Sequence, residues 1–204
     1  MDIFLIRHGE CCNAATEHYD DAKKTMNAPL TQRGIMQAEK LAARCKTMEF
    51  DMVVSSDLSR AVQTAERIIA HAPCELSINP AFREIDKGEI YRKPWDEYPE
   101  IYAQWALHDQ DIPYPGGENG EDVWNRCRPQ LEELIASQRK RVAIVCHAGT
   151  IRTIICGILD IPQQKRFCFG APPENGSISL IRHSEVDGKF VLQTFNDHSH
   201  IDIV

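Results

Sequence analysis

Three short apolar runs of the sequence each end in side chains that could bind and attack a phosphate. Arg7-His8-Gly9 follows the first run, Arg60 lies just past the second within Asp57-Leu58-Ser59-Arg60, and His147-Ala148-Gly149 follows the third. Ligands of open α/β sheets bind outside the carboxyl ends of strands, and loops carried by a rigid sheet hold catalytic groups. Two imidazoles and two guanidinium groups at such strand ends predict an anion site, and we expect a phosphate-like ligand.

A single Arg-His-Gly tripeptide is more often a satisfied histidine at a strand edge than a catalytic group. The repetition of the arrangement at three strand ends weakens that interpretation. Apolar residues at helical spacing follow both Arg60 and His147, so two helix N-termini should add backbone N–H groups and dipoles that favour negative charge.

Length and composition predict one enzyme domain spanning 1–204. The 204 residues are 43% hydrophobic, which is enough for one substantial core.

The net charge of −7, with Lys and Arg scattered, argues against nucleic-acid or anionic-membrane binding. The start of the chain does not look like a signal peptide and no apolar stretch reaches membrane-spanning length. The eight cysteines contain no C-x-x-C pair, so we expect reduced thiols in the cytoplasm.

The order of predicted elements is strand, helix, strand, helix, an irregular middle, helix, strand, helix and two final strands. Residues 31–46 predict a helix capped by Thr31, and residues 121–137 predict another, in which Pro129 should cause a kink or remove a hydrogen bond. Ile178–Ile181 and 190–192 predict the last two strands, with a turn at Asp187-Gly188. This alternation predicts an α/β fold, a three-layer α/β/α sandwich with a mainly parallel sheet.

The irregular segment 86–121 is rich in aromatic side chains and could cover the phosphate pocket. It could equally be a subdomain whose aromatic rings pack on the main core, since aromatic pockets serve both purposes. Just before it, 83–88 holds Arg83 and Glu84 beside a glycine turn, which by itself indicates only a solvated charge cluster. The aromatic residues are Tyr91, Trp95, Tyr98, Tyr102, Trp105 and Tyr114.

Taken together, six blocks in order make the chain resemble the histidine phosphatase superfamily, also called phosphoglycerate-mutase-like, over nearly its whole length. The resemblance implies the phosphoglycerate-mutase-like fold and a small phosphatase of the histidine acid phosphatase type. The blocks are Leu5-Ile6-Arg7-His8-Gly9-Glu10, Pro29-Leu30-Thr31 with Gly34 and Gln37-Ala38, Ser55-Ser56-Asp57-Leu58-Ser59-Arg60-Ala61 with Gln63-Thr64-Ala65-Glu66, Arg83-Glu84 with Gly88, Pro115-Gly116-Gly117-Glu118, and His147-Ala148-Gly149 with Arg152.

The resemblance implies that His8 is a nucleophile whose neutral imidazole becomes a phosphohistidine. Arg7 and Arg60 should lower the pKa of His8 and bind the phosphoryl oxygens, and His147 should donate a further hydrogen bond. Glu84 matches the acidic residue that protonates the leaving alkoxide and then deprotonates water.

Further implied contacts come from Gly9, Ala148 and Asn13, as binding residues for a small phosphorylated substrate. We expect no cofactor and no metal. Cys11 and Ala14 stand where the family often has Thr or Ser and Asn, so Asn13 either takes the place of that Asn or one phosphate contact is missing. Asn27-Ala28 stands where an Asp is common.

Three alternatives remain. Cys146 and Arg152 satisfy the C-x5-R pattern of cysteine-dependent phosphatases, although that scheme gives no role to the other blocks. Two histidines and a carboxylate could hold zinc, although adjacent arginines oppose a divalent cation. The departures at Cys11 and Ala14 would also suit a pseudoenzyme that binds a phosphorylated ligand without efficient turnover.

Within the family, a mutase needs long covering insertions and cationic contacts to keep its phosphoenzyme dry. This chain is short, and its covering segment holds few basic residues, among them Arg92 and Lys93. We therefore expect phosphomonoester hydrolysis, with phosphoglycerate mutase as the alternative. The strand end after Phe190 permits a homodimer without requiring one.

Overall fold

The computed structural model describes residues 1–12, 18–23, 25–91, 97–168 and 170–201. Its strands and helices alternate along much of the chain. In chain order they are β1 (Asp2–Arg7), β2 (Tyr19–Asp20), β3 (Thr25–Met26), α1 (Gln32–Cys45), β4 (Met52–Ser55), α2 (Ser59–His71), β5 (Glu75–Ile78), α3 (Pro99–Leu107), α4 (Gly120–Ala136), β6 (Arg141–Cys146), α5 (Ala148–Ile158), β7 (Ile178–His183) and β8 (Phe190–Asp197).

The main sheet has six strands in the order β5-β4-β6-β1-β7-β8. Strand β6 pairs in parallel with both β1 and β4, and β5 pairs in parallel with β4. Strand β7 is antiparallel to β1 and to β8. The carboxyl ends of β4, β6 and β1 are therefore neighbours, which brings the three motif-bearing strand ends together.

Alternate residues of each central strand face opposite layers of helices. On β1, Ile3 and Leu5 belong to the core cluster that includes residues of α4 and α5, while Phe4 and Ile6 belong to the cluster with α1 and α2. Both faces of the sheet are thus covered by helices. The predicted α/β/α sandwich with a mainly parallel sheet is confirmed.

Two predicted helix features are present at the expected residues. Thr31 caps α1, since its hydroxyl oxygen accepts a hydrogen bond from the backbone N–H of Gly34 at 3.0 Å. Helix α4 begins with a capping box between Asn119 and Asp122 and is continuous through Pro129, so the proline leaves one helix carbonyl without its usual backbone donor.

The segment 86–121 is partly regular, because it contains α3 and a 3-10 helix at Gly88–Tyr91. Trp105 of α3 packs edge-on against Tyr114, with ring centroids 3.9 Å apart, and Tyr114 belongs to the core beside α4 and α5. These aromatic rings therefore pack on the main core. Trp95, Arg92 and Lys93 lie outside the described residues, and a covering role for the segment stays a prediction.

Strand β5 and the β2–β3 hairpin were not predicted from the sequence. Strand β5 lies at the edge of the sheet, and its four residues are exposed or half-buried, so it carries no continuous apolar run. Within the part of the chain that the structure describes, no helix combines the length and apolar character needed to span a membrane.

Replacing Gly34 with alanine tests how tightly α1 packs against the loop after β1. An added Cβ would lie 1.9 Å from the backbone oxygen of Glu10. Gly→Ala in an open helix stabilises by about 1 kcal/mol, but we expect Gly34→Ala to lower the free energy of unfolding by about 1–3 kcal/mol through overpacking. Urea denaturation measures this change. The control is Met36→Ala at an exposed position of the same helix, which should stay within about 0.5 kcal/mol; a more stable Gly34→Ala protein would contradict the packing argument.

Candidate active site

The protonation state of His8 is set by two contacts that each allow only one arrangement. Its Nδ1 lies 2.6 Å from the carbonyl oxygen of Gly9, which can only accept a hydrogen bond. Its Nε2 lies 3.1 Å from Nε of Arg60, which can only donate one. The proton of the neutral ring therefore sits on Nδ1, and Nε2 keeps the lone pair that a nucleophile needs.

Both site histidines are held in the neutral form. Burial, followed by the charges of Arg60 and Arg7, places the pKa of His8 well below its usual range. Burial, followed by Arg60 and His8, does the same to the pKa of His147. The two ring centroids are 5.0 Å apart. The expected lowering of the His8 pKa by the two arginines is confirmed, although burial is its largest cause.

His147 precedes α5 and lies against the end of β4. Its Nε2 is 2.9 Å from the hydroxyl oxygen of Ser56, while its buried Nδ1 has no hydrogen-bond partner within the described residues. Nε of Arg7 is also buried and unpartnered there. Leaving buried polar atoms unpaired is unfavourable, and an anion between these side chains would satisfy both.

The two arginines are anchored by backbone carbonyls. Nη1 of Arg7 donates to the carbonyl oxygen of Pro173 at 2.6 Å, and Nη1 of Arg60 donates to that of Met26 at 2.7 Å. Both guanidinium groups have N–H groups beyond these contacts that can donate to phosphoryl oxygens. The predicted convergence of His8, Arg60 and His147 is thus present, with Arg7 close enough for its charge to act on both rings.

Glu84 lies at the N-terminus of α5. Its Oε1 accepts hydrogen bonds from the backbone N–H groups of Ile85 at 3.0 Å and Thr150 at 3.2 Å, and its Oε2 accepts one from Gly149 at 3.3 Å. Its charge also raises the pKa of Arg7, which burial lowers more strongly. Glu84 is therefore a carboxylate held at the start of α5, near enough for its charge to act on Arg7.

The backbone N–H groups at two helix N-termini, which were expected to favour negative charge, are bonded to protein oxygens. In α5, Gly149 and Thr150 bind Glu84 instead. In α2, the N–H of Ser59 donates to Oδ1 of Asn27 at 2.7 Å. Protein oxygens already satisfy these three N–H groups, so any backbone contact of an anion at these helices would have to come from other N–H groups.

A network that the sequence did not predict holds Glu84 in place. Arg83 forms a bidentate pair with Asp57, at 2.7 and 2.6 Å. Nη2 of Arg126, on α4, donates to the backbone oxygens of Arg83 at 3.0 Å and Glu84 at 3.2 Å, and Arg126 is itself paired with Glu118. Nothing in the sequence pattern marked Arg126, because the contacts by which it holds the backbone at Arg83 and Glu84 are to carbonyl groups.

The proposed binding residues are only partly placed. The N–H of Gly9 donates to the hydroxyl oxygen of Thr64 at 3.2 Å, and an added Cβ on Gly9 would lie 2.4 Å from the backbone oxygen of Gly34. Gly9 thus permits close packing in this structure. Ala148 is the half-buried first residue of α5. Substrate binding by Gly9 and Ala148 stays a prediction, and Asn13 and Ala14 lie outside the described residues.

A loop at 173–177 supports the backbone of the nucleophile motif and was also not predicted. The N–H of Gly176 donates to the carbonyl oxygens of Arg7 at 3.1 Å and His8 at 3.2 Å. Nδ2 of Asn175 donates to the same oxygen of His8 at 3.1 Å. With the Arg7–Pro173 contact, this 173–177 loop fixes the end of β1.

The cysteine-dependent alternative does not fit the surroundings of its two key groups. Cys146 is fully buried in the core, and burial raises the pKa of its thiol well above the usual value. Arg152 is also buried, and its guanidinium donates to the backbone oxygens of Arg166 at 2.8 Å and Gly170 at 3.0 Å. A nucleophilic thiolate needs a partly exposed, electropositive site. Within the described residues, no three His, Cys, Asp or Glu side chains are grouped as metal ligands.

Comparisons with known proteins match the chain along nearly its whole length. A family model described as histidine phosphatase superfamily (branch 1) matches residues 3–198. The chain is 27% identical over 212 residues to a probable phosphoglycerate mutase, GpmB, of Salmonella choleraesuis, covering 99% of this chain and 95% of that protein.

Two of the solved structures with the same fold are named as phosphatases. A mycobacterial glucosyl-3-phosphoglycerate phosphatase with inorganic phosphate has a TM-score of 0.83 at 22% identity, covering 98% of both chains. A putative alpha-ribazole-5'-P phosphatase of Escherichia coli K-12 has a TM-score of 0.79 at 26% identity, covering 97% of both chains. At 22% identity, the first likeness concerns the fold alone.

Removing the charge of Arg60 should raise the pKa of His8. In Arg60→Gln the guanidinium no longer opposes protonation of Nε2, so we expect the pKa of His8 to move up from its low value toward the ordinary value of about 6.5. Titration of the His8 ring by ¹⁵N NMR measures this shift. Arg67→Gln, on the same helix but not among the charges that act on His8, is the control. An unchanged His8 titration in Arg60→Gln would refute the electrostatic assignment.

Proposed function

Since this chain belongs to the histidine phosphatase superfamily, branch 1, we propose that it hydrolyses phosphomonoesters of small metabolites through a phosphohistidine formed at Nε2 of His8. The observation that carries the proposal is the unprotonated Nε2 of a buried imidazole beside the Arg60 guanidinium. The substrate is a small phosphorylated molecule. We place the enzyme in the cytoplasm, which the cysteine spacing of the sequence supports.

In the first half-reaction, the phosphoryl oxygens are bound by N–H groups of Arg7 and Arg60 and by His147. If the Ser56 hydroxyl donates to Nε2 of His147, the Nδ1–H of that ring is free to donate to the substrate. As the phosphate binds, the Nε–H of Arg60 passes from Nε2 of His8 to a phosphoryl oxygen, which frees the lone pair of Nε2. Nε2 then attacks phosphorus, and the P–O bond of the ester breaks as the N–P bond forms. The Nδ1–H of His8 stays bonded to Gly9 and stabilises the positive charge of the phosphorylated ring.

Glu84 donates a proton in the first half-reaction and accepts one in the second. In its protonated form it gives a proton to the departing alkoxide, which leaves as the alcohol. The resulting carboxylate then takes a proton from water as that water attacks the phosphohistidine, which releases inorganic phosphate and restores the lone pair of His8. Water is the only co-reactant, so the net change is hydrolysis of the ester.

A second candidate function is phosphoglycerate mutase, which the 27% identity to GpmB favours. The name of the putative alpha-ribazole-5'-P phosphatase, at 26% identity, supports hydrolysis, as does the scarcity of basic residues in the sequence of the 86–121 segment. Incubation with 3-phosphoglycerate, with and without 2,3-bisphosphoglycerate, separates the two. We expect phosphate release to exceed formation of 2-phosphoglycerate under both conditions, and bisphosphate-dependent isomerisation as the main reaction would assign the mutase.

The nucleophile is tested by a pair of substitutions with an aryl phosphate as substrate. His8→Ala should lower kcat by about a thousandfold or more, because the covalent route is lost. Cys146→Ala should keep most of the activity, since Cys146 is a core residue. Acid-labile phosphate bound to the enzyme, trapped by rapid quench, should appear in wild type and be missing in His8→Ala.

Each alternative has its own signature in this experiment. Activity lost in Cys146→Ala and kept in His8→Ala would establish the cysteine route. Loss of activity in excess EDTA would indicate a metal hydrolase. A wild-type protein that binds phosphate but neither turns over the phosphate esters tested nor becomes phosphorylated would be a binding module.

A further inference from the structure

The 173–177 loop, which holds the backbone of the nucleophile, is itself held by residues 197–201. Nε2 of the buried His200 lies 3.0 Å from the carbonyl oxygen of Gly176. The side chain of Ile201 packs on the same glycine, since an added Cβ on Gly176 would meet its Cδ1 at 3.1 Å. Gly176 has φ +75°, a conformation that favours glycine.

The ring of His200 is fixed in one tautomer, as the ring of His8 is. The carbonyl of Gly176 only accepts, so Nε2 of His200 carries the proton. Nη1 of Arg44, on α1, lies 3.3 Å from Nδ1 of His200 and only donates, so Nδ1 is unprotonated. Arg44 is in turn paired with Asp197 and bonded to Ser199. Helix α1 thus anchors His200 through a guanidinium.

These contacts form a continuous chain from α1 to the nucleophile. Arg44 holds His200, His200 holds the carbonyl of Gly176, and the N–H of Gly176 holds the carbonyl oxygens of Arg7 and His8. Both ring nitrogens of His200 and the N–H of Gly176 are engaged within these contacts, so they are not left to bind a phosphate at His8. The chain therefore acts on the position of His8 and not on the ligand.

We propose that His200 is a positioning residue for phosphoryl transfer, which fixes the 173–177 loop so that Nε2 of His8 keeps its place beside Arg60. This inference rests on the proposed function. A displacement of about 1 Å can lower a reaction rate on the order of a hundredfold. The effect should fall on formation of the phosphoenzyme more than on binding, because Arg60 and His147 are carried by other elements.

Three variants test the proposal. His200→Leu removes both hydrogen bonds of the ring. His200→Gln retains an N–H donor for Gly176 and an oxygen that can accept from Arg44. His183→Leu makes the same substitution at a half-buried histidine of β7, whose ring packs on Phe190 at the opposite end of that strand from the loop.

Each variant is measured in two ways. Kinetics with an aryl phosphate give the rate of phosphoenzyme formation, kcat and KM. Amide hydrogen exchange reports on the backbone of residues 7–10. His200→Leu should lower the phosphorylation rate by about tenfold or more, with a smaller change in KM and faster exchange in residues 7–10. His200→Gln should restore most of the rate, and His183→Leu should match wild type. Thermal unfolding of all three confirms that folded proteins are compared.

The proposal is overturned if His200→Leu phosphorylates as fast as His183→Leu, or if His200→Gln is as slow as His200→Leu. Failure of the proposed function looks different, since wild type itself would then form no phosphohistidine at His8. In that case the exchange measurement still decides: faster exchange of residues 7–10 confined to His200→Leu supports the positioning role, and equal exchange in all variants rejects it.

Discussion

The lone pair on Nε2 of His8 exists because its two neighbours permit only one position for the ring proton. Arginine stays protonated at any pH that a protein survives, so a second proton on the ring would face the Nε–H of Arg60 across 3.1 Å. The carbonyl of Gly9 takes the Nδ1–H. Because the ring is buried and its pKa is held low, the imidazole stays neutral with its proton on Nδ1. A nucleophile that is ready near neutral pH follows from burial and a fixed cation, without any base to remove its proton.

The same arrangement leaves positive charge in a largely buried place. Arg60 is only 4% exposed, and the two nearby histidines carry no charge. Buried charge is unfavourable unless it is paired or hydrogen-bonded. The carbonyls of Met26 and Pro173 offset part of that energy, and Glu84 balances Arg7 at longer range. A phosphate dianion would complete the pairing, so the site is electrostatically arranged for the ligand that the motifs predict.

The sequence predicted the parts of the site that lie at strand ends, and missed the parts that act through backbone groups. Arg7, His8, Arg60 and His147 follow apolar runs, and parallel pairing of three neighbouring strands makes such residues converge. The order of the strands within the sheet was not predicted from the sequence. By its residue types alone, the cluster that holds Glu84 indicated only solvated charge. The family resemblance singled out Glu84, and the structure adds its contacts with the start of α5.

The contacts that support the site residues left no comparable signal in the sequence. Arg126 and the 173–177 loop bind carbonyl and amide groups, which every residue possesses, so residue type does not reveal them. Asn27, noted in the sequence as a departure, provides a side-chain oxygen to the first N–H of α2, which a carboxylate at that position could also do. The departure therefore changes the charge at the start of α2 and keeps the hydrogen bond.

The C-x5-R pattern is correct about the order of strand, loop and helix, but the side chain of its cysteine points into the core. Side chains of a strand alternate between its two faces. On β6, Val142, Ile144 and Cys146 lie in the core cluster beside α4 and α5, whereas Ala143 and Val145 lie in the other. Cys146 is the last member of the first set, so its thiol points among apolar side chains, and the residue that leaves the strand toward the anion site is His147.

A one-residue difference in where the strand ends would exchange these roles, and spacing alone does not determine that end. The parallel pairing of Cys146 with Arg7 does determine it, because it places His147 and His8 side by side, each one residue past its strand.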